Sequence, residues 1–93
     1  MRDNRISKLA GQNGKSYITG VQLDIDNMRC CRQLPKNKGG SDDYSNLIWI
    51  TAKEKELIAK VEVFNSDLLG VELDNKALKR LNSLRLLVEN LPI

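Results

Sequence analysis

The chain has 93 residues, 41% hydrophobic and 29% charged, which is ordinary for one small folded domain and argues against disordered and fibrous architectures. Its apolar runs are short, so we predict no membrane span and no signal-peptide core, and we expect a cytoplasmic protein. Residues 1 to 40 contain eight Lys and Arg and three acidic residues, whereas residues 41 to 93 contain seven Lys and Arg and nine acidic residues. The net charge of +3 therefore conceals a basic first half. Such a half is compatible with binding to a phosphate backbone, with binding to an acidic protein face, or with a solvated surface that binds nothing.

The chain contains no histidine and two adjacent cysteines, Cys30 and Cys31. Without an imidazole it lacks the commonest general base and the commonest metal ligand. Neighbouring cysteines close a disulfide only through a strained ring, and two thiols alone do not complete a zinc site. The sequence therefore predicts reduced thiols, no bound metal and no cofactor.

The first third of the chain predicts short elements separated by turns. Residues 1 to 14 read as a basic arm with a short amphipathic helix, closed by a turn over residues 11 to 14. Residues 17 to 25 are β-prone on both sides of Gly20, which predicts a small hairpin or arch. Residues 28 to 34 predict a strand in which Cys30 and Cys31 point to opposite faces.

The middle of the chain predicts a loop, a strand and a helix in succession. Residues 35 to 45 are dense in Pro, Gly, Asn, Ser and Asp and form the clearest loop, and residues 46 to 50 are apolar and β-prone. Thr51 and Glu54 have the spacing of a capping box, which predicts that a helix begins there. Leu57, Ile58 and Val61 follow at helical spacing as its core-facing stripe.

The last third predicts a helical turn and a longer helix. Phe64, Leu68 and Leu69 suggest a turn that stops at Gly70, and Asp74 can cap the longer helix. Apolar residues at helical spacing form its predicted core face, namely Leu78, Leu81, Leu84, Leu87 and Val88. The basic residues expected to lie away from this stripe are Lys76, Lys79, Arg80 and Arg85.

Several motifs carry a resemblance to a known family. They are Arg5-Ile6-Ser7, Gly14-Lys15-Ser16-Tyr17-Ile18-Thr19-Gly20, Cys30-Cys31-Arg32-Gln33-Leu34-Pro35-Lys36, Gly39-Gly40-Ser41-Asp42-Asp43-Tyr44-Ser45-Asn46-Leu47 and Leu78-Lys79-Arg80-Leu81-Asn82-Ser83-Leu84-Arg85. Together they make nearly the whole chain resemble the C-terminal HNH endonuclease domain of group II intron reverse transcriptases. The resemblance implies an α+β fold, a small ββα-metal (HNH-like) finger flanked by an N-terminal arm or hairpin and a C-terminal helix. We expect a single domain over 1–93, with an arm over 1–14, the finger over 15–62 and a helical extension over 63–93.

The positions that would carry nuclease chemistry have changed. In the family, a histidine at the end of the first finger strand activates a water, and a helix histidine helps to hold a divalent metal. The matching strand positions here are Cys31 and Arg32, and the matching helix positions are Lys55 and Ala59. The cysteine of the family's Gly-Lys-Cys context is Ser16. The resemblance therefore implies a domain that is not an enzyme.

Other polar residues of the loop do not restore the lost chemistry. Asp42 and Asp43 could bind magnesium, but no base stands near them in sequence, and a pair of loop acids is usually solvated. Asn46 is the one residue retained from the family's namesake triad. In the family this asparagine braces the loop, so the resemblance implies a retained loop shape.

Two functions suit a catalytically inactive finger. The first is a protein-binding inhibitor or decoy, of the kind that a phage or mobile genetic element directs against a nuclease or defence complex as an anti-CRISPR or anti-defence protein. Tyr44 and Trp49 are its expected contact residues, although Trp49 suits the core equally well.

The alternative is a nucleic-acid-binding remnant of a group II intron-encoded HNH endonuclease. Its backbone contacts would come from a basic loop formed by Arg29, Arg32, Lys36 and Lys38. An acidic helix face of Glu54, Glu56 and Glu62 would oppose DNA beside that loop. The aromatic content of 4% is too low for a base-stacking platform. We therefore favour a protein partner.

Overall fold

A computed structural model describes residues 4 to 93. The three helices are α1 (Asn4–Gly11), α2 (Ala52–Ala59) and α3 (Asn75–Leu87), and the two strands are β1 (Met28–Arg32) and β2 (Leu47–Thr51). Short 3-10 turns occupy Lys36–Lys38, Tyr44–Asn46 and Asn65–Leu68. The fold is therefore mixed α+β, as the sequence predicts. Within the described residues, no helix is long and apolar enough to cross a membrane.

The two strands form one antiparallel sheet, and β2 continues directly into α2. Cys31 lies opposite Ile48 in the register. The change from strand to helix takes place at Thr51, whose hydroxyl accepts a hydrogen bond from the Glu54 amide at 3.1 Å. The Glu54 carboxylate accepts one in return from the Thr51 amide at 2.8 Å. The predicted capping box is confirmed, and it starts α2 at the end of β2.

The core lies between one face of the sheet and the helices α2 and α3. Its buried members are Ile18, Ile48, Ile50, Leu57, Ala77, Leu81 and Leu84. Asp74 caps α3 by accepting a hydrogen bond from the Ala77 amide at 2.8 Å, as predicted. The C-terminal helix thus supplies part of the same core as the sheet.

Helix α1 covers Trp49 on β2. The indole Nε1 of Trp49 donates to the Arg5 carbonyl at 2.7 Å. The Gln12 side chain, just after α1, pairs with the Trp49 backbone as a strand would, accepting from its amide at 2.9 Å and donating to its carbonyl at 3.0 Å. Part of the predicted N-terminal arm is therefore anchored to the sheet by specific hydrogen bonds. The predicted hairpin over residues 17 to 25 is a tight turn closed by a single bridge between Lys15 and Gln22.

Four apolar residues predicted to be in helices or on their core faces lie at the surface, and one of them is Leu87, the last residue of α3, which is 37% exposed. Helix α2 ends at Ala59, so Val61 lies beyond it and is 78% exposed. Phe64 and Leu69 flank the turn Asn65–Leu68 and are also exposed. The predicted stripe of α2 was too long because its hydrophobic spacing continues past the point at which the backbone leaves the helix.

The prediction that Arg85 lies away from the core is wrong. Its side chain is 2% exposed. The guanidinium donates to the carbonyls of Leu57, Lys60 (2.7 Å), Val61 (3.2 Å) and Leu91 (2.8 Å). The last turn of a helix leaves carbonyl groups without helical partners, and Arg85 satisfies that of Leu57 in α2 together with those of Lys60 and Val61 just after it. It also ties α2 to the segment after α3.

Candidate functional site

The four residues singled out by the family resemblance, Cys31, Arg32, Lys55 and Ala59, line one cavity. Cys31 and Arg32 end β1, and Lys55 and Ala59 stand four residues apart on one face of α2. Because α2 follows β2 and packs back on the sheet, this helix face meets the end of β1. The resulting open cavity has a volume of about 370 Å³ and includes all four residues in its lining.

The remaining walls of the cavity are mainly apolar. They are formed by Gln33, Ile48, Ile58, Leu84, Val88 and Asn90. The two amides are held by backbone carbonyls: the Gln33 amide donates to Ser45 at 3.3 Å and that of Asn90 donates to Ile58 at 2.6 Å. The cavity is therefore a cleft of aliphatic side chains closed on one side by α3 and its C-terminal end.

Cys31 presents a neutral thiol to this cavity. Burial raises the pKa of the thiol to about 11, an effect that the positive charge of Lys55 partly opposes and the neighbouring Cys30 reinforces. A thiol with this pKa is protonated at neutral pH, so it is a poor nucleophile and a poor proton acceptor. Neither cysteine forms a disulfide within residues 4 to 93.

Two cationic side chains border the cavity, and they differ in their partners. The Arg32 guanidinium is bound by the Asp42 carboxylate, with Nε and Nη2 each 2.7 Å from Oδ1. The side chain of Lys55 is exposed and makes no hydrogen bond or ion pair with any residue from 4 to 93. The charge of Arg32 is thus largely compensated, whereas the ammonium of Lys55 faces solvent at the rim.

The loop acids make no recognisable metal site. Asp42 is occupied by Arg32, and the Asp43 amide donates to the Ser41 hydroxyl at 3.3 Å. No group of three or more acidic or thiol side chains within residues 4 to 93 is arranged to hold a metal ion.

Two residues of the predicted basic loop, Arg29 and Arg32, lie on β1. Arg29 and Arg32 are three residues apart on a strand, which separates them by about 10 Å on opposite faces. The Arg29 guanidinium donates to the carbonyls of Asp26 and Met28. Lys38 forms a salt bridge with Glu89, and Lys36 has no ion pair with any other described residue.

Asn46 joins the two sides of the loop. Its side-chain oxygen accepts from the Leu34 amide at 2.9 Å, and its Nδ2 donates to the carbonyls of Leu34 at 3.1 Å and Ser41 at 2.8 Å. The loop is closely packed at Gly40, where a Cβ would overlap the Leu34 carbonyl. These contacts fix the chain as it enters β2.

The aromatic residues of the sequence-predicted contact site face α1. Tyr44 is 43% exposed. The ammonium of Lys8 lies 4.2 Å from the centre of the Tyr44 ring. The Tyr44 hydroxyl lies against Gly11, which has no side chain to obstruct it. Trp49 is half-buried under the same helix. Both rings therefore serve the attachment of α1, and less of their surface is available to a partner.

The expected acidic face of α2 is also different in the structure. Glu54 is 2% exposed and points into the protein. Its carboxylate accepts from the hydroxyls of Ser16 at 2.6 Å and Thr19 at 2.5 Å. Ser16 thus has a hydrogen-bond partner 38 residues away in the sequence. The capping-box pattern indicated only the local half of this arrangement, and nothing in the local sequence indicated the burial of Arg85.

No family model, curated protein or solved structure matches this chain.

Proposed function

We propose that this chain is an HNH-like domain without catalytic groups that binds a protein partner, as an inhibitor or decoy directed against a nuclease or defence complex. The proposal is carried by one observation: the four positions where the resemblance places catalytic and metal-binding histidines line one cavity and hold Cys31, Arg32, Lys55 and Ala59. Cys31 is a thiol whose pKa is raised to about 11. The cations and the alanine supply neither a base near neutral pH nor a metal ligand.

The distribution of charge supports a protein partner over nucleic acid. Arg32 is bound to Asp42 and Lys38 to Glu89, so half of the proposed basic loop is compensated within the chain. A phosphate backbone would have to compete with these carboxylates for the same cations. Arg29 and Lys36 remain as exposed positive charges, and they are the residues on which the alternative, a nucleic-acid-binding remnant, would depend.

Exposed apolar side chains provide a surface on which a protein could dock. Val61 is 78% exposed and Leu91 is 80% exposed. The Arg85 guanidinium binds the carbonyls of both residues, so the two are neighbours in space. Both residues expose an apolar side chain in one region of the surface, and clustered apolar side chains are typical of protein contacts. We call this pair the 61/91 patch.

The proposal can be tested by affinity capture from bacterial lysate that has been treated with nuclease. Three baits would be compared: the unmodified chain, a Val61→Ser/Leu91→Ser variant and an Ile25→Ser variant as a matched control, since Ile25 is 85% exposed elsewhere. We expect a protein that is retained at high salt by the first and third baits and lost from the second. The purified partner should then lose activity when the unmodified chain is added. Capture that disappears after nuclease treatment would contradict the proposal and favour the nucleic-acid alternative.

A further inference from the structure

The cavity between β1, α2 and α3 has the properties of a small-molecule site. Its volume of about 370 Å³ falls within the usual range of ligand pockets, roughly 300 to 1,000 Å³. Aliphatic side chains of Ile48, Ile58, Leu84 and Val88 form most of its lining. Such sites bind an apolar group and orient it with a few polar contacts.

Lys55 determines which polar group would complete this site. It is the cation on the rim whose charge no described residue compensates, because Arg32 is bound by Asp42. Lys55 and Cys31 line the same cavity, and the positive charge of Lys55 partly opposes the rise in the pKa of the Cys31 thiol. A ligand with a negative charge next to an apolar group would satisfy both the ammonium and the aliphatic walls.

We infer that this cavity binds an aliphatic monocarboxylate, with the hydrocarbon chain among Ile48, Ile58 and Leu84 and the carboxylate on Lys55. A single ammonium matches a single negative charge, whereas a phosphate group is generally held by several cations or backbone amides. A positively charged ligand would be repelled by Lys55. This inference does not depend on the proposed protein partner.

Three six-carbon probes separate the contributions of charge and hydrocarbon. Hexanoate, 1-hexanol and hexylammonium would be titrated into ¹⁵N-labelled protein, with amide chemical shifts as the readout. We expect saturable shifts at Cys31, Ile48 and Leu84 with hexanoate, weaker binding of hexanol and no binding of hexylammonium. Equal binding of hexanol and hexanoate, or no saturable shift at these residues, would overturn the inference.

Two variants test the residues directly, and a third is the control. Lys55→Gln should weaken hexanoate binding about fivefold, the size of one exposed ion pair, and leave hexanol binding unchanged. Ala59→Leu should fill the cavity and abolish the binding of both. Lys53→Gln removes a lysine of the same helix that does not line the cavity and should leave both affinities unchanged. An equal loss of hexanoate affinity in the Lys53 and Lys55 variants would contradict the inference. Unaltered spectra outside the cavity would establish that each variant is folded.

Discussion

Glu54 joins three separate parts of the chain through one buried carboxylate. It accepts hydrogen bonds from the Ser16 and Thr19 hydroxyls and from the Thr51 amide. A carboxylate that is removed from water needs such donors to offset its lost hydration. Glu54 therefore completes the cap that begins α2, and it also attaches the turn around residues 16 to 19 to this helix.

Replacing this carboxylate by an amide should destabilise the protein. In Glu54→Gln, the charge-assisted hydrogen bonds become neutral ones, and the new NH₂ group keeps its bond only where the Thr19 or Ser16 hydroxyl turns from donor to acceptor. We expect a loss of about 1 to 3 kcal/mol in the free energy of unfolding, measured by urea denaturation. Glu56→Gln, on the exposed side of α2, is the matched control and should change stability by less than about 0.5 kcal/mol. Equal stability of the two variants would show that Glu54 has no structural role.

Cys31 should make the stability of the protein fall in alkaline solution. Its folded pKa of about 11 lies above the ordinary value of 9.0 because burial disfavours the thiolate. The folded state therefore keeps this proton longer than the unfolded chain does. The associated stabilisation is complete below pH 9.0 and is lost as the pH rises towards 11, with an upper limit of about 3 kcal/mol.

The measurement is the free energy of unfolding between pH 8 and pH 11. Other groups titrate in this range, so the informative quantity is the difference in slope between the unmodified chain and Cys31→Ala. We expect the variant to have a shallower decline, and Cys30→Ala to retain the steeper one. The same slope in all three proteins would mean that the Cys31 thiol is not buried in solution.

At the scale of elements, the local signals in the sequence were reliable and the long-range ones were not. The capping box at Thr51 and the cap at Asp74 were predictable because each involves residues only three positions apart. The length of α2 was not predictable, because Val61 continues the hydrophobic spacing of the helix beyond its last residue. Arg85 was placed on the surface because its carbonyl acceptors near residues 57 to 61 are distant in sequence. Only the folded arrangement of α2 and α3 brings them together.

The loop between the strands should depend on Asn46. Its side chain makes three hydrogen bonds to the Leu34 and Ser41 backbone, and Asn46→Ala would remove all of them. We expect a loss of about 1 to 3 kcal/mol in the free energy of unfolding. Asn37→Ala, in the exposed part of the same loop, provides the control, and thermal melting compares the two. An unchanged melting temperature for Asn46→Ala would contradict the bracing role.

At the scale of the whole molecule, four of the residues that line the cavity were predictable, whereas the ion pairs at the surface were not. The family resemblance pointed to Cys31, Arg32, Lys55 and Ala59, and the fold places these four around one cavity. The pairing of Arg32 and Lys38 with acidic residues could not be read from the sequence, since Glu89 is 51 residues from Lys38. Because these two cations are paired, the loop is less positive than a net charge of +3 suggests.

Weak binding to random duplex DNA is the expected result for a surface of this kind. At physiological salt we expect no submicromolar affinity. At low salt, Lys36→Gln should reduce the slope of the logarithm of affinity against the logarithm of salt by about 0.9. Lys38→Gln should change it less, because Glu89 already holds this lysine. Fluorescence anisotropy can measure both slopes, and tight, strongly salt-dependent binding by the unmodified chain would reverse our preference for a protein partner.

The contacts of Arg85 also bear on how the folded protein opens. One guanidinium holds carbonyls at the end of α2 and at Leu91, so neither segment can detach without breaking bonds that the other shares. Regions linked in this way exchange their amide hydrogens as one cooperative unit. The amides of Lys60 and Asn90, both hydrogen-bonded to backbone carbonyls, should therefore exchange with the same opening free energy in the unmodified chain. In Arg85→Met they should exchange faster and with opening free energies that differ from each other.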